Sequence, residues 1–228
     1  MTICFDGEKQ ILLSEIKERL YKADSLDGLA QIHSQLLCLF DVQRFTLWLC
    51  VPAEKVFHAA IDSAGFYSDN GIAIDSDDII CVCAISKRVL NITDVYDAAE
   101  LISIDKRLKF NPAYDRKIGF RTQQLLTAPL IRDDRYLLGV MQLANCVNRY
   151  AFGRNDETLA IELSHAMADT LFRLSSKTVT QRTIADLLTR HGIDHDHGIE
   201  MAITDLIRRY REMKGRLEKI QGVLQIAE

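Results

Sequence analysis

Two apolar runs, TQQLLTAPLI over 122–131 and YLLGVMQLAN over 136–145, are separated only by a polar stretch that includes Asp133, Asp134 and Arg135. A connection that short joins antiparallel neighbours, because parallel strands need a crossover of a dozen or more residues. The pair is therefore expected to be a hairpin in an antiparallel sheet. Pro129 removes one ladder donor, so the first strand should have an edge or a bulge there. A helix over 155–174 follows, with Leu159, Leu163, Ala166, Thr170 and Leu174 inward.

The preceding residues supply the rest of an α+β domain. Leu13, Ile16 and Leu20 recur at helical spacing over 8–22, and Leu29, Ile32, Leu36 and Leu37 over 26–40, with Asp24 or Ser25 as cap. Residues 45–51 and 56–61 have strand character and flank the turn Pro52-Ala53-Glu54-Lys55. Residues 62–76 read as a loop. Asp77 or Asp78 can cap a helix through Ile79, Val82, Cys83 and Ser86, and a short strand follows at 89–92. The weakly periodic stretch 93–112 has the length of a segment that covers a pocket, and a short helical turn with Asp115 leads from it to Gly119. Helices and an antiparallel sheet then share one core over 1–176, centred on 25–174.

Composition excludes several classes. A formal charge of -4 on 228 residues is too mild to predict nucleic acid or an anionic membrane as partner. The first residues lack a basic and apolar leader, and no run is long enough to insert in a bilayer. The six cysteines, Cys4, Cys38, Cys50, Cys81, Cys83 and Cys146, follow no disulfide framework and read as reduced thiols in a cytoplasmic protein. Cys81-Val82-Cys83 reads as two small buried thiols.

Residues 177–228 have a different character. A helix over 178–190 leads to His191, His195 and His197 in a Gly-bounded stretch, read as a solvated turn rather than a metal site. Ile199, Ile203, Leu206, Tyr210, Met213, Leu217, Ile220 and Leu224 then form a heptad seam over 199–224. In a parallel self-pair Arg209 would face Lys214, a like-charge contact. The expectation is therefore a homodimer built through a mixed helical bundle that includes the acidic first helix. The seam runs close to Glu228, which suits a chain attached to, or docking on, an output domain.

The order of short helix, Gly119, hairpin, Asn145 and then Phe152-x3-Asp156-Glu157 resembles the GAF domain, most closely the version in cyclic-nucleotide phosphodiesterases and cyclases. The resemblance covers residues 25–174. In that family a Lys follows the Asn and pairs with the Asp as a brace; here Cys146 stands in its place, and Arg149 is the candidate substitute. The resemblance implies a ligand held under a lid, with cyclic AMP or cyclic GMP as candidates. It carries over to the strand positions Thr46, Ile61, Asp62 and Gln142. It also carries over to the backbone N–H groups of Ile79 and Ile80 as a phosphate site, and to Asp115, Ile118 and Thr122 in the lid. Ile118 replaces a hydroxyl residue, while Asp78 and Cys81 replace glycines beside the phosphate position.

The resemblance implies a cytoplasmic regulatory sensor that relays ligand binding through its terminal helices. The output would be a cyclase, a phosphodiesterase, a kinase or a secretion-type ATPase. The alternative is a ligand-free dimerisation platform. No catalysis is expected, because no nucleophile–base pair or metal triad is evident. The enzymatic branch of the family, the free methionine sulfoxide reductases, uses cysteines in the lid and nearby strands, and residues 105–145 contain none.

Overall fold

The computed structural model describes residues 6–62, 71–133 and 135–190, without the side chains of Asp6, Tyr114, Lys117, Ile118 and residues 177–190. The chain divides into two compact units, Met1–Leu174 and Ser175–Glu228, and the site lies in the first. The heptad seam 199–224 and His191, His195 and His197 lie outside the described residues.

In chain order the elements are α1 (Asp6–Lys22), α2 (Leu26–Ala30), α3 (His33–Phe40), β1 (Val42–Val51), β2 (Val56–Asp62), β3 (Ile72–Ala73) and α4 (Ile79–Ser86). They continue with β4 (Leu90–Ile92), α5 (Ala98–Ile104), α6 (Ala113–Ile118), β5 (Leu125–Arg132), β6 (Tyr136–Cys146) and α7 (Arg154–Arg190). The strands form one antiparallel sheet in the order β3-β2-β1-β6-β5-β4.

Residues paired across antiparallel strands point to the same face. One row reads Asp62, Thr46, Gln142, Thr127 and Leu90 across β2, β1, β6, β5 and β4. The adjacent row, Ile61, Leu47, Met141 and Ala128, points the other way. That second face packs under α1, α3 and α7, through Leu13, Ile16, Leu36, Leu163 and Met167. The first face packs under α4, through Ile79, Ile80, Val82 and Cys83 against Trp48, Phe57 and Val140. Two apolar cores thus lie on opposite sides of one sheet, and the polar row belongs to the α4 side.

Several boundaries differ from expectation. The helix expected over 26–40 is two helices, although Leu29, Ile32 and Leu36 are all buried across the break. The apolar spacing survives the interruption, so periodicity alone does not reveal it; Gly28 lowers helix propensity just before it. β1 starts three residues early, at Val42, and its Arg44 is tolerated on the inner face because Asp62 on β2 neutralises it. β5 starts late, at Leu125. Thr122 N–H is taken by the Asp115 carboxylate, and the N–H groups of Gln123 and Gln124 donate to Asn145 Oδ1. Pro129 lies beyond Leu125–Thr127, the only part of β5 that β4 covers, so its missing donor faces no strand. β3 lies in a stretch read as loop, α5 lies in the weakly periodic stretch 93–112, and α7 is a single helix where a stop near Leu174 was expected.

Candidate functional site

A cavity of about 180 Å³ opens between the α4 side of the sheet and the segments that precede and follow α6. Its sheet wall is Arg44, Trp48, Leu125 and Gln142, its α4 wall is Asp78, Ile79 and Ile80, and its outer rim is Ile72, Phe110, Asn111, Asp115 and Thr122. The covering segment is strapped to the start of α4. Lys109 N–H donates to Asp77 O at 3.1 Å, and its ammonium meets the Asp77 carboxylate at 2.7 Å.

At the start of α4, Asp78 is the N-cap and its Oδ1 accepts from Ile80 N–H at 2.9 Å. Burial pushes this carboxyl above its ordinary 3.8, more than the Ile80 N–H lowers it. Among the described residues no cation pairs with it. One of the two N–H groups expected to receive a phosphate is therefore already occupied by the chain's own carboxylate.

Asp115 is buried, and both its oxygens are held, one by Thr122 N–H at 2.7 Å and the other by Thr122 Oγ1–H at 2.9 Å. Gly119, at φ 68°, turns the chain back so that these groups meet, the left-handed conformation glycine adopts without penalty. The side chain expected to read a ligand thus also closes the loop between Asp115 and Thr122. Asn145, itself at φ 57°, anchors the far end of that loop: Nδ2 donates to Arg121 O at 2.8 Å while Oδ1 accepts from Gln123 N–H at 2.8 Å.

Gln142 is oriented by Trp48. The indole N–H can only donate, so the amide oxygen faces it at 3.2 Å and the amide NH₂ is directed elsewhere. Arg44 lies along Asp62, with Nε to Oδ1 at 3.0 Å and Nη2 to Oδ2, and its guanidinium stacks over Phe120 at 5.5 Å.

Of the nine expected positions, Ile79, Ile80, Asp115, Thr122 and Gln142 line this cavity. Thr46 and Asp62 lie in the same polar row but behind the lining, Asp62 being engaged by Arg44. Ile61 is corrected: it pairs with Leu47 and is buried in the core on the other face. A β-bulge between Leu47 and Trp48 sets that register, which strict alternation does not anticipate. Ile118 is in α6, and its side chain is outside the described ones. Sequence reasoning missed Arg44, Trp48, Phe110 and Asn111. The available signal was alternation: Arg44 and Trp48, the chain's single tryptophan, stand two residues either side of Thr46 on one strand and so share its face.

The thiols of Cys81, Cys83 and Cys146 are buried, and burial pushes them up to about 11, about 12 and about 11. Among the described residues no group of His, Cys, Asp and Glu is arranged to hold a metal ion, and no helix is long and apolar enough to cross a membrane.

A sequence model of the family described as GAF domain matches residues 25–171. Among solved structures, the GAF domain of a phosphoenolpyruvate-protein phosphotransferase from Coxiella burnetii superposes with TM-score 0.62 at 14% identity, over 75% of this chain and 96% of that one. Residues 122 to 287 of a methyl-accepting chemotaxis protein give TM-score 0.57 at 15% identity, over 70% and 96%. The free methionine-R-sulfoxide reductase of Neisseria meningitidis, in complex with its substrate, gives TM-score 0.60 at 13% identity, over 78% and 97%. No curated protein matches the sequence.

The third of these corrects the expectation that the chain is not an enzyme. The same architecture carries out reductase chemistry in that relative and in those of Staphylococcus aureus and Thermoplasma acidophilum. A fold shared with enzymes does not support a non-enzyme reading.

Proposed function

The chain belongs to the GAF domain family, and on that premise we propose that it is a regulatory domain whose cavity beside α4 binds a small ligand. GAF domains generally serve as regulatory or ligand-binding signalling domains. The observation that carries the reading is the cavity itself: five residues picked by the resemblance, Ile79, Ile80, Asp115, Thr122 and Gln142, converge on it from four separate segments.

The relay belongs to the same proposal. Ligand contact at Asp115 or Thr122 bears on the loop that Asn145 ties to the end of β6, and the chain runs from β6 through the loop 147–153 into α7. From there the signal would pass to a homodimer partner or to an output domain such as a cyclase, phosphodiesterase, kinase or secretion-type ATPase. Asn145, Phe152, Asp156 and Glu157 support the narrower likeness to the phosphodiesterase and cyclase version, which makes cyclic AMP and cyclic GMP candidates to test first.

Trp48 is the only tryptophan and lines the cavity, so its fluorescence reports occupancy directly. The test is a fluorescence titration with a thermal-shift screen against cyclic AMP, cyclic GMP, purines, pyrimidines, amino acids and 2-oxo acids. Free methionine sulfoxide plus a thiol reductant is included to detect turnover. A ligand at about 100 times its dissociation constant adds about 2.7 kcal/mol, a rise in Tm of roughly 5–10 °C. A shift lost on Asp115→Ala supports the reading. A panel that moves neither signal overturns it in favour of the dimerisation platform, the reading favoured by how completely Ile79 and Ile80 are packed.

A further inference from the structure

We propose, building on the ligand-binding reading above, that this cavity takes a phosphate-free aromatic nitrogen heterocycle, neutral or protonated, and discriminates against phosphorylated ligands.

The first reason is that the anion position is occupied from within. The dipole and free N–H groups at a helix start favour an anion, but at α4 Asp78 itself supplies the carboxylate, with Oδ1 on Ile80 N–H. A phosphate there would have to displace a covalently tethered competitor and then lie beside it.

The second reason is the charge of the surroundings. Asp78 and Asp115 line the cavity, and Arg44, the one guanidinium in its wall among the described residues, is already neutralised by Asp62. The nearby Lys109 is spoken for by Asp77 at the exposed rim. Among the described residues carboxylates outnumber cations around the opening, and a second anion is repelled more strongly in a desolvated site than in water.

The third reason is hydrogen-bond complementarity. Trp48 fixes the Gln142 amide so that its NH₂ has no partner among the described residues. Asp78 uses one oxygen on Ile80 and leaves the other as an acceptor, or as a donor when protonated. A ring that presents an acceptor nitrogen and an N–H or NH₂ matches both. Trp48 and Phe110 supply aromatic surface, and Ile79, Ile80 and Leu125 supply aliphatic surface. The volume agrees with a single ring system. It is close to the roughly 150 Å³ that accommodates benzene and below the roughly 300–1,000 Å³ usual for drug-sized ligands.

The test is Trp48 fluorescence and calorimetric titration of the full chain with adenine, guanine and cytosine, each beside a phosphorylated counterpart: cyclic AMP, cyclic GMP and cytidine monophosphate. The expected result is binding of at least one free base, at least tenfold tighter than its counterpart. Gln142→Leu, checked for an unchanged circular dichroism spectrum, should weaken that base roughly tenfold, the loss of one ligand hydrogen bond. Asp78→Ser keeps a capping oxygen and removes the carboxylate, so it should narrow the preference against the phosphorylated form.

A phosphorylated ligand that binds the parent chain as tightly as its free base overturns this inference while leaving the ligand-binding reading intact. So does binding confined to amino acids or 2-oxo acids. Absence of binding to every member of both panels overturns the two together. A base that binds equally well to Gln142→Leu and to the parent also overturns the assignment of this cavity.

Discussion

Arg149 and Asp156 form an ion pair across the loop that enters α7. Arg149 Nη1 meets Asp156 Oδ2, and Nη2 of the same guanidinium reaches back to Phe40 O at 2.8 Å. Asp156 also accepts from Gly153 N–H at 2.8 Å, and Lys9 Nζ on α1 faces its other oxygen at 3.5 Å. One buried carboxylate thus ties together α1, the end of α3, the loop and the start of α7. In the family the lysine after the asparagine performs this bracing. Here Cys146 holds that position, and Arg149, three residues later, supplies the charge.

Removing the guanidinium leaves a carboxylate that is 1% exposed with the Gly153 N–H at 2.8 Å and the Lys9 ammonium at 3.5 Å. Arg149→Ala is expected to cost about 3 kcal/mol, at the low end for a broken buried pair because the arginine side chain is itself 34% exposed. Adding Cys146→Lys should recover part of that loss, whereas Cys146→Ser should not. Urea unfolding of the three variants measures this. Equal stability of Arg149→Ala and the parent would show that Lys9 and the Gly153 N–H suffice to hold Asp156.

Gly139 lies where β6 crosses β1 beside Trp48. A Cβ built there would come within 2.1 Å of Trp48 O, a backbone atom that cannot move without parting the two central strands. Gly139→Ala should therefore cost about 4 kcal/mol or more, a drop in Tm of roughly 10 °C. Because Trp48 is in the cavity wall, any ligand response should weaken with it. Thermal unfolding followed at the tryptophan emission reads both effects, and a loss under 1 kcal/mol would mean that the strands separate easily.

The residues that encode the fold most directly are those whose pattern depends on near neighbours. Leu13, Ile16 and Leu20 on α1, the hairpin of β5 and β6, and Asp78 as the cap of α4 are each written in a few adjacent positions. Asp97 and Glu100 also form a local signal, an acidic cap with a glutamate three residues on, and it marks α5 inside a stretch read as a covering segment. Features set by distant partners were less legible. The late start of β5 depends on Asn145 and Asp115 capturing its first amides, and the misplacement of Ile61 depends on a bulge. In the cavity, Arg44 became visible only once its partner Asp62 was placed beside it on the next strand. The motif itself could be matched by position, but that Arg149 carries the missing lysine's charge required the loop geometry.

The cysteines offer a test of burial. Cys38 is exposed on α3, whereas burial raises Cys50 and pushes Cys81, Cys83 and Cys146 up to about 11, about 12 and about 11. At pH 8 a thiol near 11 is ionised to only about one part in a thousand, and the thiolate is the reactive form. In a Cys4→Ser background, brief iodoacetamide treatment should label Cys38 alone, and peptide mass spectrometry should find the buried three labelled only after denaturation. Rapid labelling of Cys81 or Cys83 in the folded protein would expose an activated thiol beside the cavity and would strengthen a redox role.

Asp78 should leave a signature in the pH dependence of stability. Its carboxyl is raised above 3.8 because burial disfavours the charged form. Well below 3.8 it is protonated in both folded and unfolded chains and contributes no difference. As pH rises through 3.8 the unfolded chain releases the proton first, so it binds fewer protons than the folded chain and stability falls. The fall is complete once pH exceeds the folded value. Asp78→Asn keeps an oxygen for Ile80 N–H, since asparagine is also a good cap, but it cannot ionise. The variant should match the parent near pH 3 and exceed it at pH 7, and carboxylates common to both chains cancel in the difference. Denaturant unfolding at pH 3, 5 and 7 provides the comparison. A constant difference across that range, or a parent that is the more stable at pH 7, would mean that the favourable interaction of the carboxylate with the start of α4 outweighs its desolvation.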